Sequence, residues 1–233
     1  MNTFFDLFPS GWLVWRRGLG CFLAAVLGCC LVSATGLAGE LTPVEIATRL
    51  QEAYDSTRTL EADFRQVAEV AMSGRKRYGE GKMAILKPGR IRWDYYQPDR
   101  QVLLSDGEKF VMYFAKSNQM IIQSITEYLT SDVTYSFFTG AGNILRDFEV
   151  LAAERDAGEG TLAVKLVPRK PHPQVDYLHI WVTRDDFTLK GLEVVDQFGS
   201  ITNLQFLDIR LNQEIPEEYF VFTPPPDTEI ISQ

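Results

Sequence analysis

Cysteine is nearly absent from this chain, and the position of the few cysteines excludes two kinds of chemistry. The sequence has 233 residues and three cysteines, and all three, Cys21, Cys29 and Cys30, lie within one apolar run near the N-terminus. A mature chain that begins after this run has no thiol. It therefore forms no disulfide and carries out no thiolate chemistry.

Histidine and the common catalytic motifs are equally scarce. The two histidines, His172 and His179, have no second histidine at metal-binding spacing, so a structural role fits both. The sequence contains no G-x-S-x-G nucleophile elbow and no P-loop. Paired carboxylates of the glycosidase kind need no local motif and stay open. The sequence predicts a protein that is not an enzyme and that needs no metal or other cofactor.

Basic residues are also fewer than acidic residues in this chain. The chain has 23 Lys and Arg against 31 Asp and Glu, for a net charge of −8. Such a surface repels phosphates, so we expect no nucleic acid among its partners.

The first 38 residues have the pattern of an export signal. Two arginines precede an apolar run, Leu19–Val32, that is too short to span a bilayer comfortably. A stretch of mostly small residues then ends at Ala38, which predicts a signal peptide over 1–38 and one domain over 39–233. The run also contains Val26-Leu27-Gly28-Cys29, which resembles a lipobox, so acylation of Cys29 is an alternative.

The mature chain begins with a helix and continues mainly as strands. Thr42-Pro43-Val44-Glu45 predicts a capped helix that ends near Ser56. Leu60, Ala62 and Phe64 then alternate with polar residues, as in a half-buried strand. Further short runs, separated by turn residues, predict antiparallel strands at 78–86, 90–96, 101–104, 108–114, 119–125, 148–152, 161–167, 175–182, 189–196 and 201–211. This pattern favours one sequential meander that forms a strongly curved sheet or barrel.

One segment, residues 131–146, interrupts the strands. We expect two short helices joined by a hinge at Gly140-Ala141-Gly142. Its large apolar side chains fit either a plug for one end of the barrel or a mobile lid. They are Val133, Phe137, Phe138, Ile144 and Leu145.

Strict alternation assigns side chains to the two faces of the sheet. Ile91, Trp93 and Tyr95 are predicted to point inward, while Arg90, Arg92 and Asp94 meet water. The same alternation places Phe110, Met112 and Phe114 together, and His179 with Trp181 opposite Leu178, Ile180 and Val182. Barrel interiors are usually filled, so the pattern by itself favours a packed core over a cavity.

Three further motifs resemble a known family. "GKMAILKPGRIRWDYYQP" at 81–98, "LLSDGEKFVMY" at 103–113 and "YFVFTPPP" at 219–226 are similar, in order and separation, to the periplasmic outer-membrane lipoprotein carrier (LolA) family. The resemblance runs from about Leu41 to Ile230. It implies a mainly β fold of the α+β class, an incomplete antiparallel barrel closed by the N-terminal helix and short lid helices.

The resemblance also implies a function and a site. We expect a monomeric periplasmic chaperone that takes acylated lipoproteins from an inner-membrane ABC exporter to an outer-membrane receptor. The expected cavity lining is Phe64, Ile91, Trp93, Tyr95, Phe110, Met112, Phe114 and Trp181, and the lid residues are Leu50, Val133, Phe137, Phe138, Ile144 and Leu145.

One position departs from the family pattern. In the family an arginine before the proline of a turn bonds lid carbonyls and holds the empty carrier shut, and the matching residue here is Lys87. A lysine donates from a single point, so its latch would satisfy fewer carbonyls than an arginine fork. Two alternatives remain: a LolB-like lipid-anchored receptor acylated at Cys29, and a periplasmic sensor domain for lipid or lipoprotein.

Overall fold

Most of the chain folds into one twelve-stranded β-sheet. The computed structural model describes residues 40–125, 142–172 and 174–232. The helices are α1 (Pro43–Ser56), α2 (Ile144–Asp147) and a 3-10 helix (Glu217–Phe220). The strands are β1 (Thr59–Val70), β2 (Arg75–Leu86), β3 (Arg90–Gln97), β4 (Gln101–Asp106), β5 (Lys109–Phe114), β6 (Gln119–Ser124), β7 (Phe148–Ala152), β8 (Thr161–Pro168), β9 (Tyr177–Thr183), β10 (Leu189–Val195), β11 (Ile201–Leu211) and β12 (Glu229–Ser232).

The sheet consists of two meanders joined at the middle. Its order is β12-β6-β5-β4-β3-β2-β1-β11-β10-β9-β8-β7, so the expected sequential pairing holds within β1–β6 and within β7–β11. It fails between them, because β6 and β7 lie near opposite ends of the sheet and β1 pairs with β11 instead. The C-terminal strand β12, which the sequence pattern did not predict, adds to β6 in parallel.

The sheet curls around one apolar core. Phe110 of β5 and Phe148 of β7 belong to the same cluster of buried side chains, although many strands lie between their own strands in the sheet order. Neighbouring strands are about 4.8 Å apart, so a flat sheet would hold these two residues far out of contact. The predicted fold class, a strongly curved and incomplete β-barrel with few helices, is confirmed.

Helix α1 begins where its capping box predicts. The backbone N–H of Thr42 donates to Glu45 Oε2 at 2.8 Å, and the Thr42 hydroxyl accepts from the Glu45 N–H at 3.3 Å. The Thr42 N–H and the Thr42 hydroxyl both donate to the Glu45 carboxylate and hold its pKa below the usual range. Ile46, Ala47 and Leu50 form the buried stripe of the helix, which contacts β7, β8 and α2. The helix therefore covers the core on the side of the second meander.

The outer face of the first meander is covered by the C-terminal segment. Phe220 and Ile215 pack on Ala84 and Leu86, and the Arg92 guanidinium donates to the Tyr219 carbonyl at 2.6 Å and to Asp94 Oδ2 at 2.7 Å. Only 15% of the Arg92 side chain is exposed. The prediction that Arg92 and Asp94 meet water was wrong, because this later segment supplies their partners.

The described residues add two general findings. Within residues 40–125, 142–172 and 174–232, no helix is both long enough and apolar enough to cross a membrane. In the same ranges no group of three His, Cys, Asp or Glu side chains is arranged to hold a metal ion.

Candidate functional site: an apolar sheet face under helix α1

Three neighbouring rows of side chains cross the inner face of the first meander. One row runs Met83, Trp93, Leu103, Met112, Ile121 from β2 to β6. The row above it contains Ile85, Ile91 and Phe110, and the row below contains Tyr95 and Phe114. Side chains two residues apart on a strand share a face. The predicted lining residues of β3 and β5 therefore share one face of the sheet.

On this inner face, aromatic rings from β1, β3 and β11 contact each other edge to face. The ring centroid of Phe64 lies 4.7 Å from Trp93 and 4.8 Å from Tyr95, and that of Trp93 lies 6.3 Å from Phe206. The Tyr95 hydroxyl donates to Gln66 Oε1 at 2.8 Å, so the polar end of this ring is satisfied. The remaining ring surfaces offer contacts that suit hydrocarbon.

Gly81 makes room for this cluster. A Cβ at this position would lie 2.1 Å from the Asp94 carbonyl oxygen and 2.7 Å from the Phe64 ring. Gly81 pairs with Tyr95 beside a register shift in the β2–β3 ladder. The absence of a side chain lets the Phe64 ring lie directly over the sheet.

Burial divides the inner face into two zones. Ile91 and Phe110 are 0% exposed and Trp93 is 5% exposed. Tyr95, Leu103 and Met112 are partly buried and pack against that core. Phe114, at the end of its strand, lines a shallow groove with Asp99 and Lys116. The burial of the lining residues therefore decreases from the fully buried Ile91 and Phe110 to the partly exposed Phe114 at the edge of this face.

The structure corrects the placement of Trp181. Leu178, Ile180 and Val182 of β9 are buried in the core, whereas Trp181 alternates with them and lies on the outer face. There its indole N–H donates to the Asp156 carbonyl at 3.2 Å. Its neighbour His179 contacts Glu193 Oε1 at 2.9 Å on the same face. Trp181 was expected to line the cavity, but it lies on the face of β9 opposite the buried Leu178, Ile180 and Val182.

Helix α1 and helix α2 meet above the core. The Ile144 N–H donates to the Gln51 side chain at 2.9 Å, and Leu50 and Ile144 are both buried. Leu145 faces outward and is exposed. Three of the predicted lid residues, Val133, Phe137 and Phe138, lie outside the described residues, as do Cys29 and the predicted signal peptide.

A groove separates the C-terminal end of α1 from the sheet. It has a volume of about 240 Å3 and is lined by Leu50 and Tyr54 of the helix together with Leu60, Phe187 and Leu189. The Arg49 guanidinium carbon lies 5.3 Å from the centroid of the Phe187 ring. Space and mostly apolar walls are therefore already present under one end of the helix.

Lys87 connects the β2–β3 turn to this same end of α1. Its ammonium donates to the Tyr54 carbonyl and lies 3.3 Å from the centroid of the Tyr54 ring. The last turn of α1 contains no basic residue of its own. Lys87 therefore places a cation at the negative end of the helix dipole.

The environment of Lys87 also changes its titration. Partial burial lowers the pKa of the ammonium to about 8, and the neighbouring Asp55 carboxylate opposes this shift. Lys87 is therefore partly desolvated beside the end of α1, and its ammonium loses a proton more readily than a solvated lysine does.

Sequence reasoning missed several residues of this site. Gly81 and Phe206 lie against the aromatic cluster, and Tyr54 accepts the bond from Lys87. Alternation in β11 could have found Phe206, since Leu204 and Phe206 are its buried pair. The Tyr54 contact has no local signal, because 33 residues separate it from Lys87.

Comparison with known proteins agrees with this geometry. Residues 55–223 match the family model described as outer membrane lipoprotein carrier protein LolA. The chain belongs to the LolA family.

Curated relatives named outer-membrane lipoprotein carrier protein are similar to this chain over most of its length. The relative from Methylococcus capsulatus is 31% identical over 192 residues, which is 82% of this chain and 88% of the relative. The relative from Methylobacillus flagellatus is 28% identical over 184 residues, or 79% and 87%. An uncharacterized conserved protein from Thermus thermophilus shares the fold, with a TM-score of 0.54 at 12% identity over 82% of this chain and 98% of that one.

Proposed function

We propose that this protein is a non-enzymatic periplasmic chaperone that holds the acyl chains of lipoproteins against the inner face of its sheet. It takes them from an inner-membrane ABC exporter and delivers them to an outer-membrane receptor as a monomer. The observation that carries the proposal is the apolar face from Phe64 to Met112, which shares one apolar core with the buried stripe of α1, a helix that one lysine holds at its end. The names of its relatives in the LolA family support the same function.

The energetics of acyl transfer explain why such a face is needed. Each exposed methylene costs roughly 0.8 kcal/mol, so one long acyl chain in water costs on the order of 10 kcal/mol. A lipoprotein with several chains requires an apolar host during transit. Met83 and Met112 suit this role, because a flexible thioether side chain adapts to chains that lie in different positions.

Loading requires α1 to move. In the closed structure Ile46, Ala47 and Leu50 occupy space over the core that an acyl chain would use. Moving the helix breaks its contacts with β7, β8 and α2 and the bond from Lys87 to Tyr54. Contacts with cargo replace the contacts with β7, β8 and α2, while the hydrocarbon part of an acyl chain has no acceptor for the bond from Lys87. The lysine therefore favours the closed, empty form.

A two-step transfer assay with purified exporter and receptor tests the proposal. We expect Lys87→Leu to accept lipoprotein from the exporter but to release it to the receptor at least several-fold more slowly, because the closed form has lost its bond. Lys87→Arg keeps a cation with a planar fork of donors and should transfer at the wild-type rate or faster. Lys82→Leu, which alters an exposed lysine earlier in β2, is the matched control.

The outcomes separate the function from the latch. A wild-type protein that takes no lipoprotein from the exporter contradicts the carrier function. Normal loading together with wild-type release by Lys87→Leu contradicts the latch alone.

A further inference from the structure

The hairpin formed by β1 and β2 extends beyond the core. Every residue from Val70 to Tyr78 is exposed, and the next residue, Gly79, is buried. The two strands stay paired to the end of the hairpin, where Val70 lies opposite Arg75. The arm is therefore an ordered projection with both faces in solvent, and Met72 at its turn is 94% exposed.

A second turn lies beside the tip of this arm. The Ala71 N–H donates to Ser200 Oγ at 3.4 Å, and the Cβ of Ala71 lies 3.8 Å from where a Cβ of Gly199 would be. In this β10–β11 turn, Asp196 Oδ1 accepts the N–H groups of Phe198 and Ser200, each at 2.8 Å. These bonds fix the turn with the Phe198 ring outward and 78% exposed.

Basic residues lie near the two exposed apolar side chains, Met72 and Phe198. Arg75, Lys76 and Arg77 follow one another on the arm, and residues 70–79 contain no acid, in a chain whose net charge is −8. Lys76 pairs with Glu69 at 3.1 Å across the hairpin, and Asp196 is engaged by its own turn. The tip is a local excess of positive charge around two exposed apolar side chains.

We propose that this tip, residues 70–78 with 197–199, docks on an anionic phospholipid surface. Met72 and Phe198 enter the interface between head groups and acyl chains, and the three cations contact lipid phosphates. The apolar side chains project furthest from the tip and the cations lie behind them. In a bilayer surface the acyl chains likewise lie beneath the charged head groups, so each part of the tip meets a layer that suits it. Lysine and arginine side chains can reach back to phosphates while their stems lie on apolar surface.

This surface is independent of the acyl site. Strand β1 begins beside Lys87, since Thr59 pairs with Leu86, and ends at the tip with Val70. The extended strand between them separates the two ends by about 35 Å. Docking at the tip therefore leaves the end of α1 and its lysine unobstructed, and the proposal holds whether or not the protein carries lipoproteins.

Vesicle flotation of the exported, processed protein tests the docking. We expect binding to vesicles of phosphatidylethanolamine and phosphatidylglycerol, and at least tenfold weaker binding to phosphatidylcholine alone. Met72→Ser with Phe198→Ser should weaken binding to the anionic vesicles by about tenfold. Arg75→Gln with Arg77→Gln should do the same, and raising the salt concentration should weaken the wild type but not this variant.

Matched controls come from other surfaces. Val221→Ser with Ile230→Ser removes two exposed apolar side chains elsewhere, and Lys109→Gln with Lys116→Gln removes two charges elsewhere. Both control pairs should bind anionic vesicles as the wild type does.

Three results would overturn the proposal: no binding to anionic vesicles, equal binding to neutral and anionic vesicles, or equal loss in the tip and control variants. Tip variants that bind vesicles normally but fail to associate with a purified exporter or receptor would assign the surface to a protein partner. Acyl-probe binding should be unchanged in all the variants, which separates this test from that of the proposed function.

Discussion

At the scale of single residues, Lys87 has two effects that a pH titration can separate. Its bond to Tyr54 stabilises the closed position of α1, while partial burial lowers its pKa from 10.5 to about 8. When the helix opens, water returns the pKa toward 10.5. Between these two values the closed form releases its proton while the open form keeps it, so the closed form gains stability relative to the open form as the pH rises.

This linkage predicts that binding of a neutral acyl probe, which requires the open form, weakens as the pH rises. Between pH 7.5 and 9.5 we expect the affinity of the wild type to decrease by roughly twentyfold, because opening takes up a proton above the closed-state pKa and a rising pH makes that uptake less favourable. An uncharged monoacylglycerol avoids titration of the probe itself. Lys87→Arg stays protonated throughout this range and should show a flat profile. An equal change in wild type and Lys87→Arg would assign the effect to another group.

A second residue-scale prediction concerns Gly81. Gly81→Ala should lower the free energy of unfolding by about 1–3 kcal/mol, because its methyl group overlaps the Asp94 carbonyl oxygen and the Phe64 ring. Gly79→Ala is the control, since its nearest neighbour at 3.1 Å is the Tyr95 ring, which can shift. Urea denaturation measures both. If the free energy of unfolding falls equally in the two variants, Gly81 is not the most closely packed position of the cluster.

At the scale of elements, α1 is held by fewer contacts than the central strands. It touches β7, β8 and α2, whereas β1 is bonded to β2 and β11 along most of its length. Elements with few contacts open below the cost of global unfolding. We predict that hydrogen exchange in α1 is faster than in β1, and that Lys87→Leu accelerates α1 without changing β1. Equal acceleration of both elements would indicate global destabilisation instead.

The buried stripe of α1 gives a stability test on the same element. Leu50→Ala should lower the free energy of unfolding by about 2–5 kcal/mol, as buried leucines do. Leu145→Ala, in the neighbouring helix α2, should cost less than about 0.5 kcal/mol because that side chain is exposed. Thermal or urea unfolding measures the pair, and a large loss for Leu145→Ala would mean that α2 packs differently.

Elements with local signals were predictable from the sequence. The capping box at Thr42 fixes the start of α1, and alternation identifies the inner row from Ile91 to Met112. Trp181 shows the limit of that reasoning, because alternation separates it from Leu178, Ile180 and Val182 without saying which of the two faces of β9 points inward.

Long-range pairings were not predictable from local pattern. The β1–β11 ladder joins Leu60 to Leu211, and β12 joins β6 although the two are far apart in the sequence. Both pairings depend on the register and packing of the whole sheet, and the hydrophobic pattern within one strand does not identify its partner strand. The C-terminal partners of Arg92 and the particular carbonyl that Lys87 reaches were hidden for the same reason.

At the scale of the whole molecule, the curled sheet separates two surfaces with different chemistry. Its inner face gathers side chains from both meanders into one apolar core under α1. The outer face carries the C-terminal segment, the His179–Glu193 contact and Trp181. Joining the meanders at β1 and β11 gives one broad apolar face, and α1 packs against the part of it that the second meander supplies.

The two tryptophans of the described chain lie on these opposite surfaces and test the central claim directly. Trp93→Phe and Trp181→Phe each leave one tryptophan in the exported protein, and brominated acyl chains quench indole fluorescence only at contact. If acyl chains bind to the inner face, titration with a brominated lipopeptide should quench Trp93 saturably in the Trp181→Phe protein. It should leave Trp181 in the Trp93→Phe protein almost unchanged. Saturable quenching of Trp181, or no quenching of Trp93 in the folded protein, would contradict the account.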